Sequence, residues 1–137
     1  MALNILIVDD SAILRNQVRR ILAQTDLPVG VVWEGAHGAE GLELLKKQWV
    51  DLVLADLNMP VMDGREMIDR MGADAELRNI PVIVVSSEGS QAVLDHLFRR
   101  GVKEFIRKPF DAAHLRAVVE RVLGIAAMQA PNSGTNG

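Results

Sequence analysis

Cysteine is absent from the 137 residues, and aromatic side chains make up 4% of them. The first absence excludes disulfides and thiolate chemistry, and it leaves a zinc site with nothing but three scattered histidines. It also accords with a reducing compartment. The scarcity of aromatics means that the core must be assembled mainly from Val, Ile, Leu, Ala and Met. A formal net charge of -3 supplies no basic footprint for nucleic acid and no attraction to an anionic membrane surface. No apolar run approaches the roughly 20 residues needed to span a bilayer. The opening Met1, Ala2, Leu3 and Asn4 lack the basic n-region of a signal peptide, so a soluble, cytoplasmic protein is expected.

What is present suits one ordinary globular domain. Hydrophobic residues make up 49% of the chain and charged residues 24%, and the length allows a single core. Four short apolar runs stand out at 5–8, 31–33, 52–55 and 82–85, with a weaker fifth at Phe105 and Ile106. Their β-branching suits strands, and their lack of alternation predicts cover on both faces.

Between these runs lie segments with helical spacing. Ile13, Leu14, Val18, Ile21 and Leu22 are expected on one helical face, Leu42, Leu44 and Leu45 on a second, and Leu115, Val118, Val119 and Val122 on a third. Asp111 is a candidate N-cap, and Asp63 with Glu66 has capping-box spacing at the start of another helix. A further helix is expected over 90–99. Strand and helix thus alternate five times, which predicts an α/β fold with a parallel sheet. The domain is assigned to residues 1–125. The segment 126–137 has little to bury and is expected to be a disordered C-terminal tail.

Ligands of open parallel sheets bind beyond the carboxyl ends of the strands, and the informative polar residues fall there. Asp9 and Asp10 follow the first strand, Asp56 the third, Ser86 the fourth and Lys108 the fifth. Each taken singly also fits an ordinary turn, cap or solvated surface residue. Their joint placement is what points to chemistry. Three clustered carboxylates repel one another unless a cation intervenes, and oxygen-only donors suit Mg²⁺. Asp56 is then a candidate nucleophile toward a phosphoryl donor, with Lys108 as a second positive charge.

These residues resemble the receiver domain of two-component response regulators, especially the stand-alone chemotaxis type. The resemblance rests on residues 7–11 (IVDDS), 55–64 (ADLNMPVMDG), 84–87 (VVSS) and 108–110 (KPF), and it covers about residues 3 to 124. It implies a flavodoxin-like five-stranded sheet in the order 2-1-3-4-5, with helices on both faces. It further implies that Asp56 is the phosphoacceptor and that Asp9, Asp10, Asp56 and the backbone carbonyl of Asn58 hold Mg²⁺. Ser86 and Lys108 would bind the phosphoryl group, and a cis peptide would join Lys108 to Pro109. Ser86 and Phe105 stand at the switch positions, Asn58 and Glu88 at those that tune dephosphorylation. Asp95, Phe98, Arg99 and Phe105 stand on the output surface. Leu57 replaces a Trp found in some chemotaxis members, and Arg100 stands where a small residue is usual.

The implied partners are a histidine kinase or phosphotransfer domain and an output protein, such as a flagellar motor component or a downstream regulator. A monomer is expected, with dimerisation on phosphorylation as an alternative, and neither nucleic acid nor membrane is expected as a partner. The protein is read as a phosphoacceptor that catalyses only its own phosphorylation and dephosphorylation. Two other readings compete. A receiver-like scaffold would signal without phosphorylation. A haloacid dehalogenase-type phosphohydrolase would need an Asp two residues after the nucleophile, where this chain has Asn58.

Overall fold

The computed structural model describes residues 2–124. Strands and helices alternate as β1 (Leu3–Val8), α1 (Ala12–Ala23), β2 (Val29–Gly35), α2 (Gly38–Lys47), β3 (Leu52–Ala55), α3 (Gly64–Gly72), β4 (Val82–Ser86), α4 (Gln91–Arg99), β5 (Glu104–Arg107) and α5 (Ala112–Leu123). The sheet runs β2-β1-β3-β4-β5, and every pairing is parallel. The expected tail over 126–137 lies outside the described residues.

The strand period of two divides the core into layers. Ile5, Ile7, Leu52, Leu54, Ile83 and Val85 face Val18 and Leu22 of α1 and Leu115, Val118 and Val119 of α5. Their alternate neighbours Leu6, Val8, Val53, Ala55, Val82 and Val84 face Leu45 of α2, Met67, Ile68 and Met71 of α3 and Leu97 of α4. The inner strands therefore have no polar face, which explains their continuous apolar runs.

Edge strand β2 departs from the expected two-sided cover. It has β1 as its one strand neighbour, and Val31 is 46% exposed. Ile13 also departs from its expected inward face. It is 73% exposed, because the buried stripe of α1 runs through Val18 and Leu22 and leaves Ile13 on the outer side.

Local capping follows the sequence. Asp63 and Asp111 accept the backbone N–H of Glu66 and His114, so each satisfies an otherwise orphaned donor. The expected capping box is answered on one side only in these contacts, since the Glu66 carboxylate turns to Arg70 at 2.8 Å. Arg100 caps the end of α4 through its backbone N–H and pairs with Asp69 near the start of the last turn of α3.

Candidate phosphoryl and metal site

The register of the sheet builds the site. Val8 pairs with Ala55, so Asp9 and Asp56 are the next residues off two adjacent strands. Both are fixed by the sheet: the Asp9 N–H donates to Gly35 O at 3.0 Å and the Asp56 N–H to Val8 O at 2.9 Å. Asp9 is buried, Asp56 is half-buried and Asp10 is exposed. One carboxylate oxygen from each of the three lies within 4.8 Å of the others.

Each inner carboxylate is held by two donors. Asp9 Oδ1 accepts from the Ser11 N–H at 2.9 Å, and Asp9 Oδ2 accepts from Lys108 Nζ at 3.0 Å. Asp56 Oδ1 accepts from the Leu57 N–H at 2.7 Å, and Asp56 Oδ2 stands 3.4 Å from Lys108 Nζ. Two like charges 4.8 Å apart repel by about 3 kcal/mol at an effective dielectric of ~20. One ammonium offsets part of that among three acids, and a divalent cation would offset the rest. An oxygen-only set, open to water on the Asp10 side, fits Mg²⁺.

Ser86 and Lys108 come together through the last strand pair. Ser86 ends β4 and is buried, and its carbonyl accepts the Lys108 N–H at 3.0 Å. Its hydroxyl accepts the Glu88 N–H at 3.2 Å, which ties it to the loop before α4. The Lys108–Pro109 peptide is cis. Asn58 and Glu88 are exposed, in the loops that follow β3 and β4.

The other candidate residues lie apart from this cluster. Phe105 is half-buried on β5, so close to Gly89 that a Cβ there would meet the ring at 2.7 Å. Asp95, Phe98 and Arg99 line a shallow groove on α4, and Phe98 is 46% exposed. Phe105 does not line that groove.

Three contributors had no assigned role in the sequence. Arg15 donates to the Asp9 carbonyl at 2.5 Å. Arg107 donates to the carbonyls of Ser87 at 3.3 Å and Gly89 at 2.9 Å, and it lies 5.8 Å from the Phe105 ring centre. Gly64 lets α3 start against the chain at Asp56 and Leu57: a Cβ would stand 3.0 Å from Leu57 Cα. Helical and strand spacing place the two arginines on their elements, but spacing carries no signal for a long side chain's partner.

The sequence pattern of the response regulator receiver domain matches residues 5–120. The chain belongs to the response regulator receiver family. Among curated proteins, it is 35% identical to a chemotaxis protein CheY homolog of Campylobacter jejuni over 123 residues, 89% of this chain and 93% of that one. It is 36% identical to the chemotaxis protein CheY of Bacillus subtilis over 124 residues, 90% and 99% of the two chains. Among solved structures, it resembles the CheX–CheY–BeF3–Mg²⁺ complex of Borrelia burgdorferi, with a TM-score of 0.81 and 29% identity over 88% of this chain and 89% of that one. This receiver is thus of the chemotaxis type, and its sheet order is the receiver order. No helix among the described residues is long and apolar enough to cross a membrane.

Proposed function

We propose that this receiver is a phosphorylation-driven switch in which Asp56 accepts a phosphoryl group from a histidine kinase or phosphotransfer domain. The observation that carries the reading is Lys108 Nζ lying between the carboxylates of Asp9 and Asp56, at the sheet edge where the buried Ser86 ends β4. An Asp56 oxygen attacks phosphorus, the donor's P–N bond breaks and the imidazole leaves with the bonding pair. Asp9, Asp10, Asp56 and the Asn58 carbonyl are the residues that would hold Mg²⁺. Bound there, Mg²⁺ supplies positive charge to the phosphoryl oxygens, which is the main requirement of phosphoryl transfer.

Lys108 contributes a second positive charge at that centre and has no lone pair to offer while protonated. The Ser86 hydroxyl is free to donate a hydrogen bond to a phosphoryl oxygen, and any movement it makes pulls on Glu88 through the existing bond. The loop before α4 thereby links the site to Phe105 and to the α4 surface at Asp95, Phe98 and Arg99. Hydrolysis of the acyl phosphate, tuned by Asn58 and Glu88, resets the switch. An apolar groove of about 350 Å³ beside Lys108, walled by Leu14, Ile21 and Phe110, offers footing to a donor domain. The output is protein binding by a cytoplasmic monomer in a chemotaxis-type pathway, with dimerisation on phosphorylation as the variant to examine.

Incubation with acetyl phosphate and Mg²⁺, read by intact mass, tests the reading. One phosphate is expected on the wild type, none on Asp56→Ala and none when Mg²⁺ is withheld. Phosphate on the Asp56→Ala variant would overturn the assignment. Failure with both acetyl phosphate and a cognate kinase would favour a scaffold that signals without the modification.

A further inference from the structure

Asp9 is gripped at four points, and three of those contacts come from the sheet, the helix start and Lys108. The fourth comes from Arg15, one turn into α1. Its Nη1 donates to the Asp9 main-chain oxygen at 2.5 Å, while its Nε donates to Glu34 Oε1 at 2.8 Å. The other Glu34 oxygen accepts from Arg19 Nη1 at 3.1 Å. Glu34 lies on β2 in register with Ile7, so the Arg15 guanidinium spans from the sheet edge to the chain just beyond β1. The Arg15 side chain is 16% exposed, well packed for an arginine at the surface of a helix.

The contact falls on the short link between two elements. β1 ends at Val8 and α1 begins at Ala12, so residues 9–11 carry both amino-terminal acids across a gap between two elements. A main-chain carbonyl fixed there fixes the direction in which the Asp9 and Asp10 side chains leave the chain. We propose that Arg15, held in turn by Glu34 and Arg19, is a positioning residue for the cation site. This inference rests on the Mg²⁺-binding reading above.

The sign of the effect separates this role from simple electrostatics. A positive charge near a cation site weakens cation binding, so removing Arg15 as a mere charge tightens it. Removing Arg15 as a positioner loosens it, because outer-shell partners of metal ligands typically contribute about tenfold or more to affinity. Arg15→Lys keeps the charge, but a single ammonium lacks the planar fork that serves the Asp9 carbonyl and Glu34 together.

The test is a Mg²⁺ titration of the full chain followed by the backbone amide resonances of Ser11 and Leu57, whose N–H groups bond Asp9 and Asp56. Circular dichroism is used to check folding. Arg15→Met is expected to bind Mg²⁺ about tenfold more weakly than wild type, with the metal-free Ser11 resonance already displaced. Equal or tighter binding by Arg15→Met overturns the positioning role and leaves the site reading standing. Should Arg15→Met fail to fold, Arg15→Lys decides: weaker binding supports the role and unchanged binding overturns it. A wild-type protein that does not bind Mg²⁺ overturns the site reading, and this inference with it.

Discussion

Lys108 stands between Asp9 and Asp56, its Nζ 3.0 Å from an oxygen of the first and 3.4 Å from an oxygen of the second. The three side chains are 17%, 5% and 13% exposed, so the group is neither a solvated surface pair nor fully dry. Surface pairs contribute about 0–1 kcal/mol, whereas breaking a buried pair costs about 3–5. Lys108→Met should fall between them, losing about 2 kcal/mol of stability at neutral pH. Urea unfolding with and without Mg²⁺ checks this. Added Mg²⁺ should stabilise the variant more than the wild type, since it meets a site with one cation fewer. Equal gains would show that the ammonium and the metal do not share these acids.

Arg107 connects the site to Phe105. Its two carbonyl bonds and its place over the Phe105 ring hold the loop of residues 87–89 against β5. Arg107→Ala should raise amide hydrogen exchange in the segment 87–91 several-fold, a change of about 1 kcal/mol, while the central strands keep wild-type protection. Unchanged exchange there would mean that the loop is held by the Ser86 hydroxyl and Gly89 packing alone.

Val61 adopts φ of 64°, a left-handed conformation that a β-branched residue enters only with strain. Its side chain is 80% exposed, so little burial is lost on replacement. Asn tolerates this region at lower cost and avoids the added unfolded-state freedom of Gly. Val61→Asn is therefore expected to raise stability by about 1 kcal/mol, seen as an increase of a few degrees in Tm. A lower Tm would count against strain at this turn.

Lys46 of α2 pairs with Asp74 beyond α3, and the side-chain hydrogen bond between them holds the Lys46 pKa above its usual 10.5 and the Asp74 pKa below its usual 3.8. The depressed carboxylate contributes stability above its unfolded pKa, and this is lost as pH falls through the folded value. The raised ammonium contributes below its unfolded pKa, and this is lost as pH rises through the folded value. Asp74→Asn should thus lower Tm at neutral pH and converge on wild type in acid below the carboxylate range. Both groups are at the surface, so added salt should shrink the difference. A difference that persists in acid would assign the effect to packing.

The fold class was legible in the sequence, and so was the sheet edge at which the candidate site residues gather. Continuous runs such as 52–55 and 82–85 can exist only where both sheet faces are covered, and helical stripes between them force parallel crossovers. That topology sends Asp9, Asp10, Asp56, Ser86 and Lys108 to one edge before any coordinate is known. Periodicity is a local property, however, and it failed where neighbours decide exposure: Ile13 and Val31 are apolar in pattern yet open to solvent.

Tertiary structure alone decided which acid is buried, and that Lys108 reaches across 99 positions of chain to Asp9. It also decided what the arginines do. Arg15 meets Glu34, 19 positions away, and Arg107 meets Ser87, 20 positions away. A guanidinium on a flexible stem can satisfy many partners, so its choice depends on the register of strands and loops around it. That register is set by packing of the whole core, and it is written in no short stretch of sequence.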